Sequence, residues 1–438
     1  MSSPRVYKNR DLYLNKLIAF QDTEPVKVIT GIRRCGKSIL LKLMVQHLLE
    51  SGVSREQIVE MNFESYAFKD MSSDGLYTHV KSLAVHGKRM YLFLDEIQRV
   101  PAWEEAVNAF RVDLDCDIYI TGSNAYLLSS EYATYLSGRC VEIKMLPLSF
   151  REFMDFHGFA IRESASALGG LRKQVFDPNG ESYDLREVFD AYLRFGGMPG
   201  IADVGLHQDR ALTLLDGIYS TVVVRDILER EKRRGQRQIT DPVLLRKIIL
   251  FLADNIGNTV SANSIGNTLV SEGLLEGGTR KNAPSAHTVQ AYVNALLESY
   301  IFYEVKRFDI KGKEFLRTLG KYYIADIGLR NYLLGFRDRD TGHVLENIVY
   351  FELLRRGYDV AIGKMDNAEI DFVATKADEK IYVQVTESMT SEDVRRRELT
   401  PLQKVRDNYE KIILSLDPGL ETSYEGIRSL SLIDWLIS

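Results

Sequence analysis

Two glycines, a lysine and a serine stand at fixed spacing in Gly31-Ile32-Arg33-Arg34-Cys35-Gly36-Lys37-Ser38, the G-x-x-x-x-G-K-[ST] pattern of a phosphate-binding loop. Such a loop curls its backbone N–H groups around phosphates, and glycine stands where a side chain would block close approach. Lys37 offers a point charge to the β- and γ-phosphates, and the Ser38 hydroxyl suits a Mg2+ ligand. Downstream, Met90-Tyr91-Leu92-Phe93-Leu94-Asp95-Glu96 is an apolar run that ends in two carboxylates. In that arrangement Asp95 would hold Mg2+ through water and Glu96 would polarise the attacking water as general base. The chemistry this points to is hydrolysis of a nucleoside triphosphate. ATP is expected over GTP, because Thr375-Lys376-Ala377-Asp378, which mimics a guanine-specificity signature, reads as a turn between two later strands.

The flanking residues supply the elements that position these groups. Val26–Thr30 is a short β-branched run suited to a buried strand, and Ile39 to Leu49 is helical and apolar on most sides. The loop therefore joins a strand to a helix N-terminus, where free N–H groups favour an anion. Ile58–Phe63, Asp117–Thr121 and Cys140–Lys144 add strands, with helical stretches between them. One strand lies in sequence between the loop strand and the Asp-Glu strand, which suits the additional-strand class of P-loop ATPases. Right-handed crossovers bring the C-terminal ends of all strands to one edge. Asn62 is expected on that edge as a restraint on Glu96. Thr121-Gly122-Ser123-Asn124 falls there too, so Thr121, Ser123 or Asn124 is the candidate γ-phosphate sensor.

The phosphate loop, Leu94-Asp95-Glu96-Ile97-Gln98, Thr121-Gly122-Ser123-Asn124, Ser137-Gly138-Arg139 and Leu146-Pro147-Leu148-Ser149-Phe150-Arg151-Glu152-Phe153 together resemble the prokaryotic AAA-family ATPases that carry a C-terminal domain of unknown function. The resemblance runs over essentially the whole chain. It implies an α/β P-loop ATPase core at 1–147, a helical lid at 148–238, a winged-helix segment at 239–337 and a restriction-endonuclease-like domain at 338–438. It also implies nucleotide contacts from Gly31, Arg33, Arg34, Cys35, Gly36, Lys37, Ser38 and Ile39. Arg139 precedes the last core strand, where in ring-forming ATPases an arginine reaches a neighbour's γ-phosphate. A homo-oligomer follows from that role; an arginine paired with a carboxylate is the alternative. Arg33 and Arg34 either face the phosphates or a partner, or form a solvated pair on the outer side of the loop.

Composition sets the outer limits. The 438 residues carry a net charge of -5, with 45% hydrophobic and 27% charged residues, which is ordinary for a water-soluble protein of two to four domains. The sequence has no apolar run of membrane-span length and no signal-peptide pattern at Met1-Ser2-Ser3-Pro4-Arg5, so a cytoplasmic location without membrane attachment is expected. Cys35, Cys116 and Cys140 are too few and too scattered for a disulfide framework or a zinc site. The helix N-terminus and Lys37 would enrich the Cys35 thiolate, which suggests an oxidant-sensitive ATPase.

The later parts are quieter. Arg194 and Arg225 could reach phosphates from the lid, and Gly196-Gly197 ends a helix and redirects the chain. Leu244, Leu245, Ile248, Ile249 and Leu252 mark the buried face of a first helix. Helices at Ala262 to Leu269 and Ala286 to Leu297 follow, then a hairpin with Lys306, Arg307, Lys311, Lys313 and Arg317. Such a wing could meet DNA phosphates or another protein; the acidic pI of about 5.9 argues against a broad basic face. In the last part Asp371 fits the Asp of a restriction-type metal site, with Glu346 on a preceding helix, but Gln384 and Thr386 stand where a carboxylate and a lysine are needed. An inactive nuclease scaffold used for binding is expected, in preference to a nucleic-acid-cleaving enzyme. A slowly hydrolysing nucleotide switch remains the alternative to an ATPase.

Overall fold

A computed structural model of the chain describes residues 7–122, 138–165, 171–222, 227–228, 239–271, 284–337, 340–418 and 422–438. It forms two compact units, one of residues up to Leu146 with Glu298–Tyr300, the other of Pro147–Leu297 with Ile301–Ser438.

In the first unit the short β-branched and apolar runs form β1 (Val26–Thr30), β2 (Ile58–Asn62), β3 (Met90–Asp95), β4 (Cys116–Thr121) and β5 (Cys140–Lys144). All neighbours pair in parallel, in the order β2-β3-β4-β1-β5. Thus the strand inserted between β1 and β3 in space is β4, whereas β2, which lies between them in sequence, is at the edge. The connections include α1 (Asp11–Ala19), α2 (Lys37–Glu50), α3 (Ser73–Leu83) and α4 (Trp103–Asp113). Leu76 and Val80 of α3 and Trp103, Val107 and Phe110 of α4 pack on Leu92, Leu94, Ile118 and Ile120 of the sheet. Parallel strands buried on both faces need such apolar runs.

Lys27 breaks that pattern, being fully buried in β1. Its ammonium pairs with Asp117 and donates to the Thr23 carbonyl at 2.9 Å, while Tyr119 donates to Asp117 at 2.8 Å. Burial pushes the Lys27 ammonium below its usual range, against the pull of Asp117.

The second unit holds a three-stranded sheet of β6 (Ala160–Ala165), β7 (Leu171–Phe176) and β8 (Ser182–Tyr183). Its main sheet has nine strands: β9 (Thr259–Val260), β10 (Phe302–Asp309), β11 (Glu314–Ile324), β12 (Asp359–Met365), β13 (Ala368–Lys376), β14 (Glu379–Val385), β15 (Glu410–Ser415), β16 (Thr422–Tyr424) and β17 (Ile427–Ser431). Their order is β16-β17-β15-β14-β13-β12-β10-β11-β9. Arg307–Asp309 of β10 pair in parallel with Ile362–Lys364 of β12, so one sheet runs across the boundary expected near residue 337. Three helices precede the β10–β11 hairpin: Pro242–Asp254, Ala262–Ser271 and Ala286–Glu298. The first buries Leu244, Leu245, Ile248, Ile249 and Leu252, and Asp241 caps it by accepting from the N–H groups of Val243 and Leu244. Gly196-Gly197 does turn the chain: a Cβ on Gly197 would lie 2.4 Å from the Leu148 carbonyl oxygen, and its N–H donates to Asp326 at 2.6 Å.

Candidate nucleotide-binding site

The loop after β1 has the backbone that its glycines permit. Gly31 takes φ +137°, and a Cβ there would fall 2.1 Å from the Met145 carbonyl oxygen. Gly36, at φ +107°, is the left-handed N-cap of α2, so Lys37, Ser38 and Ile39 open the helix. Lys37 is buried and donates to the carbonyls of Gly31 (2.9 Å) and Ile32 (3.1 Å), which folds it across the loop. Behind the loop, Arg10 donates to the carbonyls of Cys35 (3.0 Å) and Leu146 (2.9 Å). Arg10 had no sequence signal, since a lone arginine ahead of a helix looks like any surface cation.

At the ends of β3 and β4 the carboxylates are held tightly. Thr121 donates to Asp95 Oδ1 at 2.5 Å and accepts from the Glu96 N–H at 3.0 Å. Asn62 donates to Asp95 Oδ2 at 2.8 Å, and Gln98 donates to Glu96 Oε2 at 2.5 Å. The expected bond from Asn62 to Glu96 is therefore corrected: Asn62 stands beside Asp95 in the β2–β3 register, and Glu96, at φ 57°, turns its side chain toward Gln98. Glu64 joins the same edge, pairing with Arg33 at 2.5 Å and Arg99 at 3.1 Å. Arg34 is exposed in a left-handed conformation, φ 63°. Cys35, expected to make the ATPase oxidant-sensitive, has a fully buried side chain beneath the loop, out of reach of a solvent oxidant in this conformation. Ser123 and Asn124 lie outside the described residues.

The donor set fits Mg2+ bound with phosphates. Ser38 opens α2, and Asp95 presents one carboxylate aligned by Thr121 and Asn62. Among the described residues no three His, Cys, Asp or Glu side chains converge to hold a metal by themselves, and Mg2+ in such sites takes only one or two protein ligands beside water and phosphate oxygens.

Arg139 lies at the other end of the sheet. Its carbonyl accepts from the Val26 N–H at 2.9 Å, at the start of β1, and its side chain is exposed. The phosphate loop follows the far end of that five-residue strand, about 16 Å away at ~3.3 Å per residue.

The second unit gathers a different set. Lys321 of β11 lies 3.3 Å from Glu346 and 2.9 Å from Glu369, and Tyr323 donates to Glu346 at 3.0 Å. Burial pushes the Glu346 carboxyl up, but the bond from His343 and the charge of Lys321 outweigh it and hold the group below its usual range. Burial, then the charge of Glu346, pushes Asp371 well above its usual range. Asp371 accepts from the Val385 N–H at 2.8 Å, Gln384 donates to Glu398 at 2.9 Å, and the Thr386 hydroxyl donates to the Ser388 carbonyl at 3.4 Å. Lys321, the cation of this set, comes from a strand far upstream of Gln384 and Thr386. On the hairpin, Lys306, Lys311 and Lys313 are exposed and Arg307 is half-buried; Lys311 pairs with Asp366 at 2.5 Å. The Arg317 side chain and Arg225 lie outside the described residues. Arg194 donates to Gln208 and stacks over Phe336 at 5.6 Å, beside a cavity of about 600 Å3 that Arg186, Arg330 and Arg337 also line. Those three arginines pair with Asp190, Asp340 and Asp254 respectively. No helix among the described residues is long and apolar enough to cross a membrane.

A parallel sheet of this order, with a glycine-lysine loop after β1 and an Asp-Glu pair closing β3, is a P-loop fold of the AAA class, and residues 23–154 match the family described as AAA domain. Residues 186–340 match a domain of unknown function (DUF8612). The sequence is 38% identical over 433 residues to an "Uncharacterized protein" of Haemophilus influenzae, covering 98% of each chain. It is 30% identical over 427 residues to "Uncharacterized protein MJ1544" of Methanocaldococcus jannaschii, covering 94% of this chain and 86% of that one. The chain belongs to the family that these full-length relatives form. Among solved structures, the Walker-type ATPase PABY2304 of Pyrococcus abyssi aligns with 76% of this chain and 99% of its own, at 16% identity and a TM-score of 0.49. The ORC1 protein of Aeropyrum pernix, solved in complex with DNA, aligns with 75% of this chain and 93% of its own, at 14% identity and a TM-score of 0.31.

Proposed function

We propose that the chain binds and hydrolyses ATP with Mg2+, and that this cycle drives a DNA- or protein-binding module in its C-terminal half. The observation that carries the reading is the bracket at one sheet edge, where Thr121 fixes both Asp95 and the Glu96 backbone at the edge from which the phosphate loop rises. Lys37 would move from the loop carbonyls onto the β- and γ-phosphates, and Glu96 would take a proton from the attacking water. Mg2+, when bound, neutralises charge that develops on the phosphates; Ser38 and Asp95 would hold it. Asn124 is assigned as sensor. Arg139, at the far edge of its own sheet, is assigned to the nucleotide of a neighbouring copy, which makes the working form a homo-oligomer.

For the C-terminal half, the helices Pro242–Asp254, Ala262–Ser271 and Ala286–Glu298 with the β10–β11 hairpin support a winged-helix reading. The pairing of Lys311 with Asp366 weakens a broad basic wing. Neutralisation of Glu346 and Glu369 by Lys321 supports an inactive nuclease-like scaffold used for binding. A slowly hydrolysing nucleotide switch is the second reading, favoured by the bond from Gln98 that holds Glu96. Glu96→Gln separates the two. In an ATPase it retains ATP and loses turnover; a rate equal to wild type rejects Glu96 as the base and leaves the switch.

A further inference from the structure

A short piece of the later chain belongs to the nucleotide-binding unit. Glu298–Tyr300 close the helix Ala286–Glu298 and lead into β10, yet they group with the residues up to Leu146. Ser299 and Tyr300 are 1% and 4% exposed. Tyr300 takes φ 58°, a left-handed conformation that is an outlier for a bulky side chain and persists only where its surroundings over-determine it.

Those surroundings lead to the phosphate loop. The Tyr300 hydroxyl lies 3.4 Å from Glu142 Oε1, the same oxygen that accepts from the Thr30 hydroxyl at 2.5 Å. Thr30 ends β1 and is followed directly by Gly31. Burial and then the charge of Glu142 push the phenol well above its usual range. The Lys144 ammonium stands 5.9 Å from the ring centroid. Contacts thus run from Tyr300 through Glu142 to Thr30, the residue bonded to the first glycine of the loop.

We propose that Tyr300 is a positioning residue for the phosphate loop, through which nucleotide binding at Gly31–Ser38 is felt by the helix Ala286–Glu298. The claim rests on the nucleotide-binding reading above. A loop that moves when phosphates enter must move Thr30 and Glu142, and so remake the contact with the phenol. Tyr300 lies two residues beyond the helix end at Glu298, so a change at its strained backbone is passed along the chain. Linkage makes the effect reciprocal: whatever fixes the helix also sets the affinity for nucleotide.

The test uses the full chain with ATP and Mg2+ and the variant Tyr300→Phe, which removes only the hydroxyl. ATP affinity is measured by equilibrium titration, and backbone hydrogen exchange of residues 286–298 is followed with and without ATP. In wild type, ATP slows that exchange. In Tyr300→Phe, ATP affinity shifts at least about fivefold, the lower end of the usual coupling range, and the response of the helix to ATP disappears. A structural tyrosine would lower the melting temperature and leave the response intact. Unchanged affinity together with an intact response overturns the coupling alone. Absence of ATP binding to wild type overturns the nucleotide reading and the coupling with it. Should Tyr300→Phe unfold, Glu142→Gln at an exposed position carries the same test, with the same expected loss and the same refuting result.

Discussion

Replacing Thr121 by valine keeps the shape of a fully buried side chain and removes one hydroxyl. That hydroxyl makes two bonds, a donation to the Asp95 carboxylate at 2.5 Å and an acceptance from the Glu96 N–H at 3.0 Å. Asp95 and Glu96 are 6% and 8% exposed, so water cannot readily take over either bond. Losing a bond to a charged group costs about 1.5–3 kcal/mol and a neutral one about 0.5–1.5 kcal/mol, so Thr121→Val should destabilise the first unit by about 2–4 kcal/mol. For a domain of that size the melting temperature falls by roughly 5–15 °C. Glu96 also loses the bond that pins its left-handed backbone, and a misplacement of about 1 Å costs on the order of 10²-fold in rate. Thr121→Ser retains the hydroxyl and should recover most of both losses. Calorimetric melting and a coupled phosphate-release assay measure the two effects. A Thr121→Val protein that melts within about 2 °C of wild type at full turnover would show that the bracket does not hold the carboxylates.

Two further perturbations address the far edge of the first sheet and the interior of the second unit. Arg139→Ala should bind ATP normally while hydrolysis falls at least roughly tenfold, within the range of an arginine finger. If the arginine acts on a neighbouring copy, mixing Arg139→Ala with Lys37→Ala restores part of the turnover that each lacks alone; no recovery would place its action within one chain. Asp326 is fully buried at the bonds to Gly197 and Leu329, and burial raises its carboxyl from 3.8 to about 6 despite those N–H donors. The folded state then keeps a proton that the unfolded chain has released, so this stabilisation is complete below about pH 4 and is lost as pH rises through about 6. At 1.36 kcal/mol per unit, the stability of wild type relative to Asp326→Asn should drop by about 3 kcal/mol between pH 4 and pH 7. A difference that is flat with pH would refute it.

Residues that act through local pattern were legible in the sequence. The loop glycines, Lys37 and the Asp-Glu pair stand out by their spacing, and the central strands β1, β3 and β4 show as apolar runs because both of their faces are covered. Partnerships across the fold were not. Arg10 reaches Leu146, 136 positions away, and nothing in either neighbourhood signals it. Asn62 stands at the C-terminal sheet edge where its place in β2 puts it, but which carboxylate it meets depends on the β2–β3 register and on the left-handed turn at Glu96, and neither has a sequence signature. For Cys35 the sequence conveys the nearby charge and the helix end, whereas accessibility depends on packing beneath the loop. Lys321 shows the same limit in the second unit, since its pairing with Glu346 and Glu369 joins residues distant in sequence.

The two ends of the parallel sheet are built differently. At the C-terminal edge stand Gly31, Gly36 and Glu96, all at positive φ, together with a lysine folded across its own loop. Unusual backbone of this kind persists where the surrounding structure enforces it, and here it aligns the groups that would meet the phosphates. The N-terminal half is fixed by a polar network in which Lys27, Asp117, Tyr119, Asp22 and Tyr91 are joined by buried or partly buried bonds. Removing Lys27 or Asp117 would leave a buried charge unpaired, at a cost of about 3–5 kcal/mol, so this edge resists rearrangement. Arg139 is attached to that stiff edge through the Val26–Arg139 backbone bond. An arginine anchored there is poorly suited to swing toward its own loop, but it can be presented as a fixed group to a neighbouring copy. In the proposed oligomer the C-terminal edge would adapt to nucleotide, while the opposite edge would present Arg139 to a neighbouring copy.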